Sequence, residues 1–203
     1  MTTSPHVKCA SDRTLKVKKA EKMLFREAII NPSDIFLHSN CGARLIDGFV
    51  NIDTFYEDEG VVNYALDSLP FVDGSVNSIY SSYLLENLAI ADATSLLQEW
   101  KRVLVRGSGR LLLSVPDNLE VYRQLLDPST SDDRSTWLNH LMRGEILHPM
   151  LKGQSICNLH DMLFRGFTEA TLLRELWDKG FRVKEMFSYE GESSPSVWVE
   201  AYA

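Results

Sequence analysis

The residues Ser39-Asn40-Cys41-Gly42 interrupt an apolar run, and Asp53 stands eleven residues past Gly42. Asp67 comes next, followed by Ser68-Leu69-Pro70-Phe71. Glycine in a turn supplies positive φ and lets a ligand approach the backbone closely. An ionised carboxylate can accept two hydrogen bonds from a ribose diol. A polar group beside an apolar step, as at Asp67, suits an adenine through its exocyclic amine and its ring face. Each aspartate alone is more often a turn or cap residue. Two of them in register with a glycine turn point to a nucleotide-like cofactor. The turn is sparse, with one glycine where two or three are usual. Asn is the non-glycine residue that best tolerates the left-handed region. Asn40 therefore keeps the turn possible and adds an amide that a cofactor carboxylate could use. The pattern suits a working cofactor loop and a remnant of one alike.

Acid–base chemistry needs a group that can take a proton. The candidates are His140, His148, His160, Asp117 and Asp161. His160 and Asp161 are favoured, because the adjacent carboxylate can raise the basicity of the imidazole. A single histidine is more often a surface or structural residue. Cys157-x-x-His160 has the outline of half a zinc site, but no second pair completes it, so no metal is expected. The three cysteines, Cys9, Cys41 and Cys157, have no framework spacing and read as free thiols in a reducing compartment, by default the cytoplasm. A Walker loop and a G-x-S-x-G elbow are absent.

Something must position these residues. The 203-residue chain, 44% hydrophobic and 24% charged, suits one domain spanning 1–203. Short β-compatible runs lie at 34–41, 49–53, 61–67, 75–84 and 109–116, and two more, 181–190 and 196–203, are expected to form an antiparallel hairpin around Gly191 and Pro195. Helical periodicity covers 92–104, with Leu96, Leu97, Trp100, Val103 and Leu104 on one face. The glycines of Arg106-Gly107-Ser108-Gly109 are expected to stop it. A second helix is expected over 167–181, capped by Thr168 and stopped by Gly180. Strands alternating with helices predict a doubly wound α/β sheet, mostly parallel, with helices on both faces. In such a sheet ligands sit at the carboxyl ends of the strands. Residues 34–41 are expected at the centre, flanked by 49–53 and 76–83, with 196–203 antiparallel to its neighbours.

Two segments flank this frame. Residues 1–30 hold seven Lys/Arg against three acids, +4 in a chain of net charge −7, and Val17, Ala20, Leu24 and Ala28 recur at helical spacing. An amphipathic N-terminal helix with a solvated basic face is expected there. Residues 117–166 are long and polar, and are expected to form a lid and substrate region. The acidic remainder speaks against nucleic acid as a partner. No window reaches the roughly 18 apolar residues of a membrane span, and no apolar h-region marks a secretory signal. A homodimer is compatible with the sequence.

Four blocks in order, "FLHSNCGARLIDGFVNID", "ALDSLPFVDGSVNSIYSSYLLENL", "LLQEWKRVLVRGSGRLLLSVPD" and "GFTEATLLRELWDKGFRVKEM", resemble a class I S-adenosylmethionine-dependent methyltransferase of the small type often called type 11. The resemblance covers 34–117 well and 150–203 loosely. It implies a Rossmann-like seven-stranded sheet with its last strand antiparallel, S-adenosylmethionine as cofactor and a small-molecule or sugar methyl acceptor. It also implies that His38, Asn40 and Gly42 belong to the cofactor loop, with Asn40 and Gly42 facing the methionine moiety. Asp53 would take the ribose, Asp67 and Ser68 would approach the adenine, and Ser82, Tyr83 and Leu84 would line the floor. The chain departs from the pattern at His38, usually acidic or amide, at Asn40, usually Gly, and at Asn87, usually His. The loop before the fifth strand is Arg-Gly-Ser-Gly in place of Pro-Gly-Gly. These departures leave a non-catalytic binding protein as the alternative. A dinucleotide-dependent enzyme would need three glycines opening a helix.

Overall fold

The computed structural model describes residues 33–54, 56–65, 67–120, 123, 166–190 and 195–203. The strands are β1 (Phe36–Ser39), β2 (Val50–Asp53), β3 (Val61–Asn63), β4 (Ser78–Ser82), β5 (Arg110–Pro116), β6 (Arg182–Glu190) and β7 (Pro195–Tyr202). The helices are α1 (Ile90–Val103) and α2 (Glu169–Asp178). One seven-stranded sheet runs β3-β2-β1-β4-β5-β7-β6. The first five strands pair in parallel, whereas β7 is antiparallel to both β5 and β6. β1 lies between β2 and β4 and is buried along its whole length.

Alternation along each strand splits the core in two. On one face Leu37, Ile79, Leu111, Leu113 and Val199 pack with Leu96, Leu97, Trp100 and Val103 of α1 and with Leu172 and Leu176 of α2. The other face carries Phe36, Tyr80, Leu112 and Trp198, joined by Ile46 and Phe49 from the β1–β2 connection. Both α1 and α2 therefore pack on the first face. The helix expected within 1–30 lies outside the described residues, as does nearly all of the 117–166 segment.

Helix α2 begins and ends as its sequence predicts. Thr168 Oγ1 accepts from the Thr171 N–H, and Thr171 Oγ1 accepts from the Thr168 N–H, which closes a reciprocal cap. At the other end Gly180 has φ 78°, with Gly180 N–H donating to Trp177 O and Phe181 N–H to Leu176 O. This pair of bonds satisfies carbonyls that the helix leaves free.

Helix α1 ends differently from the prediction. Leu104 turns extended and forms an isolated parallel bridge with Val76, so tertiary pairing stops the helix at Val103. The glycines serve the next turn. Gly107 adopts φ 82°, and a Cβ on Gly109 would lie 2.6 Å from Val105 N, so only glycine fits there. The third strand is also shorter than predicted. It ends at Asn63, because the Asn63 side chain donates to the carbonyls of Asp53 and Tyr56 and draws the chain out of the ladder. Asp67 therefore does not end a strand. It stands four residues farther on, exposed in a turn.

Candidate functional site

The carboxyl ends of β1, β2, β4 and β5 converge on one rim of the sheet. At β1 the chain leaves through Asn40 and Gly42, both left-handed, with φ 60° and 51°. The turn closes through Arg44 N–H to Cys41 O at 3.0 Å and is tied to β2 by Cys41 N–H to Ile52 O at 3.2 Å. Asn40 thus takes the conformation that glycine would otherwise supply. Its Oδ1 is buried and has no partner among the described residues. Buried acceptors are nearly always satisfied in folded proteins. An unmet one beside a ligand-type turn marks a place where a donor fits.

Asp53 ends β2 as predicted and is fully buried. Its Oδ2 accepts from the Gly42 N–H at 2.9 Å and its Oδ1 from the Tyr56 N–H at 3.0 Å. The carboxylate therefore clasps the turn after β1 to the turn after β2. In this geometry its first task is to shape the loop. Its charge and the burial of the site together push the Cys41 thiol up to about 12, burial being the larger cause. Cys41 is a packing residue at neutral pH.

His38 lies on the sheet face beneath the loop. It is buried, its ring stacks on Tyr80 at 4.9 Å, and its Nδ1 lies 3.1 Å from Asn51 Oδ1. Burial lowers its pKa from 6.5 to about 4, against the opposing effects of the Asn51 bond and the Asp53 charge. The imidazole is neutral at physiological pH and supports the loop from below.

At β4, Ser82 Oγ meets Ser114 Oγ of β5 at 2.7 Å, and Leu84 is buried in the core. Tyr83 has φ 56°, an uncommon conformation for a bulky side chain. It is held there from both sides, by its N–H to Ser114 O at 2.9 Å and by Asn87 Nδ2 donating to its carbonyl at 3.0 Å. Strain of this kind persists only where the surroundings over-determine it, and it concentrates at functional rims. Asn87, a departure from the family pattern, thus has a defined local task.

The structure joins Gly42 to Asp53 by a hydrogen bond, keeps Asn40 in the same turn and sets Ser82 and Tyr83 at the same carboxyl ends of the strands. It leaves Asp67 and Ser68 exposed in the turn beyond β3. That turn is anchored to α1, where Glu99 accepts from the Leu69 N–H and Arg102 donates to the carbonyls of Leu69 and Phe71. Among the acid–base candidates, Asp117 is described and already engaged. Its Oδ1 accepts from Leu119 N–H and Glu120 N–H, and its Oδ2 from the Ser188 hydroxyl. His160 and Asp161 lie outside the described residues. No group of three or more potential metal ligands occurs among the described residues. No helix among them is long and apolar enough to cross a membrane.

Asn51 was not singled out in the sequence. It is buried in the middle of β2 and bonds to the loop above it. Asn is depleted in strands, and a buried amide needs partners. An Asn flanked by Val50 and Ile52 was therefore a readable signal.

No protein-family model matches the chain, and no curated protein matches it. Solved structures do. The chain is similar to a SAM-dependent methyltransferase from Methanosarcina mazei, with 15% identity, 85% of this chain and 93% of that one covered, and a TM-score of 0.56. It is similar to magnesium protoporphyrin IX methyltransferase from Synechocystis with bound SAM, with 11% identity, 100% and 86% covered, and a TM-score of 0.60. An S-adenosylmethionine-dependent methyltransferase from Mesorhizobium loti gives 15% identity, 91% and 96% covered, and a TM-score of 0.52. The fold of this chain is that of the class I S-adenosylmethionine-dependent methyltransferases.

Proposed function

We propose that this protein transfers a methyl group from S-adenosylmethionine to a small-molecule acceptor, by attack of an oxygen or nitrogen. The observation that carries the reading is the turn after β1. Asn40 and Gly42 keep its left-handed form, and the buried Asn40 Oδ1 has no partner among the described residues. An amide oxygen accepts from an ammonium, and the amide nitrogen donates to a carboxylate. Asn40 therefore offers both halves of what the methionine end of the cofactor presents. Gly42 leaves room for close approach, and Tyr83 and Ser82 border the rim. Asp53 serves the ribose end through the loop it holds. Asp67 and Ser68 remain the proposed adenine contacts.

When bound, the sulfonium supplies an already activated methyl. The chain's task is then proximity and alignment in a dry site. A hydroxyl or amine acceptor also needs its proton removed, for which His160 with Asp161 is the proposed pair.

A second reading, a binding protein that no longer uses the cofactor, is favoured by Asp53, whose two oxygens are both engaged with backbone N–H groups. A dinucleotide enzyme is disfavoured. A pyrophosphate site needs a helix N-terminus after the glycine turn, and residues 40–49 contain no helix.

Calorimetric titration with S-adenosylmethionine, S-adenosylhomocysteine and NAD separates the three. Binding of the first two alone supports methyl transfer. No binding of either near millimolar concentration sinks it.

A further inference from the structure

Parallel neighbours are ordinarily joined by a crossover of about a dozen residues or more, built around a helix. Between β1 and β2 there are only residues 40–49, and none is helical. Ile46 and Phe49 are nevertheless buried in the aromatic cluster beneath the sheet. Burying those side chains pulls their peptide groups away from water, and those groups then need partners.

Asn51 provides them. Its Oδ1 accepts from the Ile46 N–H at 2.9 Å. Its Nδ2 donates to Ile46 O at 3.2 Å and to Phe49 O at 3.3 Å. The remaining lone pair of Oδ1 faces His38 Nδ1 at 3.1 Å. Both donors and both lone pairs of the amide are then used. Because Nδ2 is committed to two carbonyls, Oδ1 is the acceptor toward His38, and the network assigns the hydrogen to Nδ1. His38 is the direct cross-strand partner of Asn51 in the β1–β2 ladder and is itself stacked on Tyr80. The amide is therefore oriented from below by a ring in the core. It in turn fixes the connection at two points, four and seven residues past Gly42.

We propose that Asn51 is a positioning residue for the cofactor turn: its four-bond amide replaces the missing crossover helix and holds residues 43–49 so that Asn40 and Gly42 keep their binding geometry. The inference rests on the cofactor reading above. Asn51 itself touches no ligand. It acts through Ile46 and Phe49 on the segment that Asp53 and Ile52 pin at Gly42 and Cys41.

The test is S-adenosylhomocysteine binding by the folded protein, alongside amide hydrogen exchange. Asn51→Leu deletes all four bonds, and Asn51→Asp, nearly the same shape, deletes the two donated ones. Leu176→Ala, in α2 on the opposite face, is the control for loss of stability alone. Asn51→Leu should weaken binding about 10- to 100-fold and Asn51→Asp by a smaller factor, since buried groups are left unmet. Exchange at Arg44 and Ile46 should quicken while α1 stays protected. Leu176→Ala should lower the melting temperature but keep the wild-type affinity. If Asn51→Leu does not fold, the Asn51→Asp result decides. Wild-type binding with equal affinity in the Asn51 variants overturns the positioning role and leaves the cofactor reading standing. A wild type that binds no S-adenosylhomocysteine overturns both.

Discussion

Two of the connections between neighbouring parallel strands, β4 to β5 and β1 to β2, are held by different forces. From β4 to β5 the chain runs through α1, whose Leu96, Leu97, Trp100 and Val103 are buried against the sheet. From β1 to β2 it runs through residues 40–49 without a helix, held by the side chains of Asn51 and Asp53. In α1 the backbone satisfies itself, and apolar burial supplies the stability. In the β1–β2 connection a few polar side chains must satisfy the backbone one bond at a time. The first kind of support tolerates changes in its polar surface but not in its apolar volume. The second depends on the hydrogen-bonding state of single residues, and it lies where the ligand-type turn begins.

The largest effect expected from this contrast is at Trp100, fully buried on α1. Trp100→Ala should destabilise the protein by about 3–5 kcal/mol, read from urea denaturation. A loss below about 1 kcal/mol would mean that α1 is not held by burial.

Acid should single out the other connection. His38 is neutral and buried, with its pKa lowered to about 4 from 6.5. The unfolded chain takes up that proton at higher pH than the folded one, so the contribution is fully present above pH 6.5. It is lost as pH falls toward 4, at up to about 1.4 kcal/mol per pH unit, or roughly 3 kcal/mol in all. His38→Gln should remove this part of the slope between pH 7 and 4.5. Exchange in the 40–49 connection should rise before exchange in α1. Equal slopes for wild type and variant would show that His38 does not couple the loop to pH.

A smaller change sharpens the contrast from the helical side. Thr168→Ala deletes the α2 cap and should lower stability by about 1 kcal/mol without altering S-adenosylhomocysteine affinity. Altered affinity would mean that α2 and the turn are energetically linked. Smallest is Asn40→Gly, which keeps the left-handed turn and deletes the amide. Stability should move by about 0.5 kcal/mol or less. Any loss of affinity then reports Asn40 as a ligand contact, whereas unchanged affinity removes it from the site.

Much of the frame was legible because it is local. Seven strand-like runs, the Thr168 cap and the Gly180 stop follow from side-chain periodicity and backbone preference within a few residues. The tolerance of Asn40 for φ 60° was likewise a property of its own short amide. Where local signals competed with long-range pairing, the reading shifted. The glycines of 106–109 looked like a helix stop, but Leu104 reached Val76 first. β3 looked longer than it is, because nothing within its own run shows that Asn63 bonds back to Asp53 and Tyr56.

The sequence by itself determined the α/β class, the central place of the 34–41 run and the position of the left-handed turn at Asn40 and Gly42, since these depend on hydrophobic pattern and on which residues tolerate left-handed backbone. Only the tertiary structure decided what the polar residues do there. Asp53 faces Gly42 because β2 lies against β1 in a register that sets Ile52 opposite Ser39. Asn51 meets Ile46 and His38 for the same reason. A carboxylate or an amide is committed by whichever donors the folded chain brings within about 3 Å, and that is a property of register and burial that no short stretch of sequence contains.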